Sequence, residues 1–293
     1  MTAIAAPLAV ARVPWWRAIP LVPRLALATL VALVAACVVG PWLATHDPVA
    51  IGDVLARRFL PPLARDGDGA LHLFGTDAFG RDVLARMLVA GRLSLGVGLA
   101  GAVASGALGA LLGAIAGWRG GIVDTAITAL ADALLAIPRL VLLLVCAALW
   151  APGAPTLVAV LALTGWMGVA RLVRAEVLGL RSADFVQAAR ATGVSSGRTL
   201  LRHVLPNAIA PALVATSLGV GGAILLEAGL SYLGLGVQPP APSWGNMIAG
   251  GREHLLTAPW IALAPGLAVV VTVAASTLVG DWLEARLAGR AAR

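Results

Sequence analysis

Lysine is missing from this sequence: all 21 basic residues among its 293 positions are arginine. That absence excludes a phosphate-binding P-loop on this chain, which needs a lysine, and a Schiff-base enzyme, which needs an amine. Cysteine is almost missing too. Cys37 and Cys146 both lie inside apolar runs, so neither a disulfide scaffold nor a metal site is indicated. Charge is scarce, at 12% of residues against about 25% for a soluble domain. What is abundant is apolar: 60% of residues are hydrophobic and the mean hydropathy is +0.93. A disordered chain has the opposite balance, and the 34 glycines show no three-residue collagen period. The class left is an integral membrane protein, and its long uncharged runs make it all-α.

The runs predict six transmembrane helices. Residues 25–43 carry no charge, close to the roughly 20 residues that cross a bilayer core. Leu33-Val34-Ala35-Ala36-Cys37 looks like a lipoprotein processing site, but the apolar run continues past Cys37 to Leu43, as in an uncleaved first span. The second run is Leu93 to Trp118. Gly109, Gly113 and Gly117 recur there every four residues, either as a close helix–helix seam or as chance in an Ala-rich chain. The run Leu140 to Ala170 is too long for one span and too short for two, and Ala151-Pro-Gly-Ala-Pro155 divides it. A third helix therefore starts near Ile122 to Ala131, with a kink at Pro138, and a fourth ends around Arg171 to Arg174. Asp124, Asp132 and Arg139 fall on the third helix, as functional intramembrane charges or as interfacial ones that snorkel. Val204 to Leu226 and Pro259 to Gly280 complete the six. Gly229 to His254, dense in Gly and Pro, reads as a loop or re-entrant segment.

The layout is thus a cytoplasmic N-terminus (1–24), a first span (25–43), an outer loop (44–92), a core of five spans (93–287) and a cytoplasmic tail (288–293). Orientation follows from arginine: 13 fall on the side of both termini and seven on the other, where six Asp offset them. Trp15, Trp16, Trp42, Trp118, Trp150, Trp260 and Trp282 lie near helix ends, as in an aromatic belt. The basic balance is accounted for by topology, and no nucleic acid is called for.

One polar segment stands apart, residues 181–206. Ser182 is suited to cap a helix over Ala183 to Thr192, Asp184 suits its first turn, and Gly193 suits a left-handed stop. Ser195 or Ser196 suits the cap of a second short helix, and Pro206 the start of the fifth span. The product is a helix–Gly–helix elbow, which fits a docking element or a plain structural corner equally well.

The spacing Gln187-Ala188-Ala189, Gly193 and His203-Val-Leu-Pro206 resembles the EAA loop of ATP-binding cassette importer permeases. Gly75-Thr-Asp77-Ala-Phe-Gly80-Arg81-Asp82, Gly229-Leu-Ser-Tyr-Leu-Gly-Leu-Gly236-Val-Gln238-Pro-Pro240, Pro242-Ser-Trp244-Gly-Asn246-Met247 and Gly280-Asp281 are similar, in order, to segments of the dipeptide, oligopeptide and nickel permease family, the second or "C" type. Gln187 departs from that loop's Glu, and His203 from the wider superfamily's Ile.

The resemblance implies a type I importer permease fold in a bacterial inner membrane. Its implied partners are a second permease subunit, two ATPase subunits and an external solute-binding protein. ATP and Mg would sit on the ATPases, with no cofactor or catalytic residue on this chain. Gln187, Ala188, Ala189 and Gly193 would dock the ATPase, while Phe185 and Arg190 would add contacts or pack the elbow. Asp77, Gly80, Arg81, Asp82, Gln238, Trp244 and Asn246 would contact the binding protein or partner permease, or simply fold their loops. Glu227 would line the path or sit at the interface in contact with water. Peptides are the expected substrate, with nickel the alternative. An ion-coupled secondary transporter would show internal repeats, and none is evident between residues 25–150 and 155–280. An intramembrane serine protease would pair Ser94, Ser105 or Ser217 with a His at membrane depth. His46, His72, His203 and His254 instead fall in loops or at span ends and do not cluster along the chain.

Overall fold

A computed structural model of the protein describes residues 19–43, 46–51 and 53–291. Arg12, Trp15, Trp16, Arg17 and Arg293 of the expected charge and aromatic pattern lie outside these residues. Among the described residues, five helices are long and apolar enough to cross a membrane: α1 (Leu21–Leu43), α3 (Val83–Arg119), α6 (Ala154–Arg181), α10 (Ala210–Tyr232) and α12 (Trp260–Ala291). A sixth candidate is the pair α4 (Gly121–Leu135) and α5 (Arg139–Ala148), bent by 95°. Between α1 and α3 a small lobe holds α2 (Val54–Arg57) and an antiparallel hairpin, β1 (Ala64–Arg65) with β2 (Leu71–His72). The elbow carries α7 (Asp184–Ala191), α8 (Ser196–Thr199), a π-helical turn (Leu200–Val204) and α9 (Leu205–Ala208). A short α11 (Trp244–Gly251) precedes α12.

The helices run further than their uncharged stretches, because the charges at their ends have partners. The second span starts at Val83, ten residues before the expected Leu93, capped by Asp82, whose carboxylate accepts the Ala85 N–H at 2.7 Å. Arg92 therefore lies inside α3. Pro41 of α1 has no N–H to offer the Cys37 carbonyl one turn earlier, and Arg92 Nε donates to that carbonyl at 2.8 Å instead. Cys37 itself is mid-helix and buried against Gly91. The fourth span continues past the expected Arg171–Arg174 end to Arg181, since Arg171 pairs with Asp132 and Arg174 with Asp124, both on α4. The third span is a sharp break and not one kinked helix. Pro138 lacks the N–H that would continue α4 and drives Ile137 out of helical geometry. The fifth span begins at Ala210, not Val204, after a break at Ile209 that follows α9, with Pro211 in its own first turn, and it extends beyond Leu226 to Tyr232. The sixth runs on past Gly280 to Ala291.

Helix α3 is the centre of the bundle, and its contact with α6 is the most extensive in the protein. Gly109, Gly113 and Gly117 face α6, where an added Cβ would collide with the backbone carbonyls of Trp166, Ala170 and Arg174. Gly98 and Gly106 face the other way, against Ile224 and Thr216 of α10. The glycine register is thus two seams, one on each side of the helix. In lipid no hydrophobic effect drives helices together, so close backbone approach and dispersion carry the association.

Replacing Gly113 with alanine should destabilise the fold by about 1–3 kcal/mol, as overpacking does. Gly96→Ala, where an added Cβ meets nothing within 4 Å, should be neutral or gain up to about 1 kcal/mol from helix propensity. Melting temperatures of the two variants in one mild detergent test the contrast; equal temperatures would remove the seam from the argument.

Candidate functional site

The elbow grows directly out of α6. Its first helix, α7, has Ala183 and not Ser182 at the cap position, because the Ser182 hydroxyl turns back to the Gly179 carbonyl at 3.2 Å. The Ser182 carbonyl accepts from Gln187 Nε2 at 3.0 Å. Gln187 therefore fastens its own helix to the end of α6 through a bond that an ionised Glu cannot donate. The helix stops at Gly193, whose φ of +81° is the left-handed conformation expected of it. Val194 N–H then reaches the Ala189 carbonyl at 3.1 Å and closes the turn.

On α7 the side chains divide cleanly. Phe185, Gln187, Ala188 and Arg190 are exposed and Ala189 is half-buried, while Val186 is fully buried. Val186 inserts into a cluster with Ala114 and Trp118 of α3, Val173 and Val177 of α6, Val204 of the π turn, Ala208 of α9 and Ala212 of α10. Trp118 touches both halves of the elbow. Its Nε1 donates to Ser196 Oγ of α8 at 2.8 Å, and the Arg190 guanidinium of α7 lies 5.1 Å from its ring centre. Ser195 takes the cap position of α8, but neither it nor Ser196 caps by side chain. Beyond α8, Pro206 widens the helix: Leu205 N–H passes over the usual acceptor to reach the Leu200 carbonyl, forming the π turn. Val186 and Trp118 were not singled out from the sequence as parts of this site. The available signal was a β-branched aliphatic residue within the short amphipathic stretch Asp184–Arg190 and a Trp near the end of the longest small-residue helix.

At the opposite end, the Gly75–Asp82 segment is a self-bonded loop. Asp77 accepts the N–H groups of Phe79 and Arg81 and pairs with the Arg81 guanidinium at 2.8 Å, while Gly80 turns at φ +73°. Trp260 of α12 donates to the Thr76 carbonyl at 3.1 Å, clamping this loop to the last span. Asp82 caps α3 and holds His72 Nδ1 at 2.8 Å. Two of the four histidines, His46 and His72, do cluster here, contrary to their separation in the sequence. The His46 and His72 rings are 4.7 Å apart, and with Asp82 they place three ligand-type atoms within 4.8 Å of one another. The hairpin between β1 and β2 brings residues distant in sequence to the same helix start.

The second outer segment is also internally committed. Trp244 is buried, with its N–H on Ser94 Oγ at 3.2 Å and its indole on the Met87 carbonyl at 3.1 Å. Asn246 forms a capping box with Ser243 and bonds the Val237 and Ala241 carbonyls. Gln238 bonds the Gly234 carbonyl at 2.8 Å and remains exposed. Asp77, Arg81 and Asn246 line one small cavity, so the two outer segments meet there. Glu227 does not sit in water at an interface: it is fully buried in α10, with Ser231 Oγ donating to Oε1 at 2.8 Å.

In the small lobe, Asp66 has a depressed pKa. Desolvation raises it, but the Ala70 and Asp68 N–H groups, Arg57 and His72 together outweigh that effect and hold the carboxyl below its ordinary range.

The arrangement defines a class: a multi-pass membrane protein whose spans carry an exposed helical elbow locked to their ends. Comparison with known proteins makes the class specific. The family model of the binding-protein-dependent transport system inner membrane component matches residues 109–292, which include the whole elbow. A Brucella suis protein carrying a peptide transport system permease name is 41% identical, over 89% of this chain and 85% of its own. The di/tripeptide transport system permease of Pseudomonas aeruginosa is 38% identical over 87% of this chain and 84% of its own. The dipeptide transport system permease of Alkalihalophilus pseudofirmus is 39% identical over 74% and 72%. This chain belongs to the family of inner membrane components of binding-protein-dependent transport systems.

Two outcomes test the geometry of these sites. Trp118→Phe removes the bond to Ser196 and should cost about 1 kcal/mol, read as faster hydrogen exchange in residues 196–205; unchanged exchange would deny Trp118 its bridging place. For Asp66, a depressed pKa contributes stability that is complete above the ordinary carboxylate value and lost as pH falls through the folded value. Exchange protection of residues 64–72, corrected for intrinsic rate, should therefore persist from pH 7 to 5 and decline below about pH 4. Asp66→Asn should show the low protection at every pH.

Proposed function

We propose that this chain is the peptide-translocating permease subunit of an ATP-driven importer, working as half of a heterodimer with a second permease. The observation that carries the reading is the elbow: an exposed helical face of Phe185, Gln187, Ala188 and Arg190 on a buried anchor, Val186, that is packed into three spans at once. A short helix of this kind fits a groove on a partner. The partner is an ATPase pair, which holds the ATP and Mg and performs the hydrolysis. One chain has one elbow and an ATPase pair has two grooves, which calls for the second permease. The peptide substrate rests on the names of the relatives.

In this reading the elbow and both termini face the cytoplasm, in line with the arginine count and the positive-inside rule. ATP binding closes the ATPase dimer, and contacts that differ between its two states move α7. Val186 and Trp118 pass that displacement to α3 and α6 as a rigid body, which alternates access to the path. Ala189 and Gly193 keep the docking face close to the groove, because a methyl group and a hydrogen are too small to hold it away. At the other end, Arg81 and Gln238 offer the binding protein or the partner permease polar groups. Asp77, Gly80, Asp82, Trp244 and Asn246 hold the shape of the loops that present them.

The test is a mild-detergent purification of the tagged full chain from its host, with mass spectrometry of what is retained. The wild type should bring down a second permease and ATPase subunits. The Ala189→Glu, Gly193→Glu double variant should keep the permease and bind the ATPases at least roughly 30-fold more weakly, the loss expected of an interface hot spot. Recovery of the wild-type chain alone or as a homo-oligomer would end this reading.

A further inference from the structure

Several arginines of the spans end on carboxylates or carbonyls. Arg171 and Arg174 meet Asp132 and Asp124. Arg92 meets carbonyls of α1, and Arg86 meets Asp77 and the Pro48 carbonyl. Arg139, the first residue of α5 after the 95° break, meets neither a carboxylate nor a carbonyl among the described residues. Its guanidinium lies against α6 at Gly165, where an added Cβ would come within 3.1 Å of it. Gly165 stands near the middle of α6, and Ser105 of α3 abuts the same glycine. Arg139 is therefore level with the middle of α6, on an exposed side of the bundle.

Two cavities flank this side chain. One, of about 300 Å³, is walled by α3, α6 and α10 and lined by Arg139, Ser105, Gly165, Thr216, Gly219 and Gly222. The other, of about 330 Å³, lies on the side of α4 and α5. An arginine at mid-bilayer costs about 2.5–3.5 kcal/mol even by insertion scales that allow snorkelling, and such residues face a water-filled path or an ionic partner. Arg139 is exposed in the isolated chain, so lipid is the one surrounding it cannot retain. The first cavity supplies what a path needs: a fixed cation, two hydroxyls, and glycine walls that leave room for a moving solute.

We infer that Arg139 is the carboxylate-binding residue of the translocation path, taking the C-terminal carboxylate of a short peptide as it crosses the membrane. The inference rests on the importer reading above and adds the site within it. A cavity of about 300 Å³ is at the small end of ligand sites, which favours peptides of two or three residues over long ones. Arginine suits the task because its planar fork meets a carboxylate with two parallel hydrogen bonds. A single cation also holds the solute loosely enough to release it, as conduction requires. Ser105, beside Arg139 at Gly165, and Thr216 of α10 line the same cavity and can accept or donate to the peptide group.

The test uses the complete importer, with its permease pair, ATPases and binding protein, in proteoliposomes. A mixture of unlabelled dipeptides is supplied outside and the lumen is analysed by mass spectrometry. Arg139→Gln should lower import about tenfold, the worth of one charge-assisted interaction. It should leave assembly and the stimulation of ATP hydrolysis by the loaded binding protein intact. Arg139→Lys, which keeps the charge, should restore most of the import. Wild-type import by Arg139→Gln would overturn the inference and leave the importer reading standing. Loss of the partner permease or of stimulated hydrolysis in both variants would also overturn it, assigning Arg139 to an ion pair between subunits. Failure of the wild type to import any dipeptide would remove the peptide reading, and this inference with it.

Discussion

The structure depends on how closely α3 approaches its neighbours. In water a helix is held by the apolar stripe it buries, but in lipid that driving force is gone, and contact must be won by dispersion at short range. Gly109, Gly113 and Gly117 let α3 lie on the backbone of α6, and Gly98 and Gly106 make room for the Ile224 and Thr216 side chains of α10. A helix held closely on two sides is stiff, and everything else is attached to it. Asp82 at its start ties down the His72 hairpin, Gly91 receives Cys37 of α1, and Trp118 at its end holds both parts of the elbow. One 37-residue helix thus joins the loop end to the elbow end without a joint.

Charge follows the same economy. A bilayer leaves an unpaired ion nowhere to hide, and here ions are used where the backbone or a neighbouring helix has something left over. Pro41 frees a carbonyl, and Arg92 takes it. The acids of α4 have no helix-ladder role, and Arg171 and Arg174 bind them to α6 across the break at Pro138. The bent pair is thus held to α6 by these ion pairs on α4 and by the burial of Ala131, Leu143 and Ala147 against it, without the glycine seams of the other helices.

The number of spans, the breaker-rich segment before the last one and the elbow with its Gly193 stop were legible in the sequence, because each rests on local chemistry. Helix ends were not. Reading them from uncharged runs places α3 ten residues late and α6 several residues short, since an arginine looks like an end until its partner is known, and partners such as Asp124 or the Cys37 carbonyl come from other helices. Long-range meetings were equally hidden. His46 and His72 come together only through the hairpin, and Glu227 is buried only because α10 continues past the run that announced it. Motifs told where structure is tight more than what it touches: Asp77, Asp82, Trp244 and Asn246 all turned out to have internal bonds that the spacing of residues could not reveal. Arg139 stood out as a charge in the third span, and its lack of a partner required the fold.

The elbow's attachment has a mechanical consequence. Gln187 bonds α7 to the Ser182 carbonyl at the C-cap of α6, and Val186 and Trp118 bury it against α6 and α3, so those three helices move together. The link onward to α10 is different. It passes through the π turn and two prolines, Pro206 and Pro211, each of which removes a ladder hydrogen bond. A displacement applied to the exposed face of α7 is therefore delivered whole to α3 and α6, while the segment into α10 has the fewest backbone bonds to resist bending. Since α3, α6 and α10 are the walls of the cavity beside Arg139, a push on the elbow changes the distance between the rigid wall pair and the third wall. The same glycines that make the first pair inseparable leave the other seam, at Gly98 and Gly106, as the surface along which that change can occur.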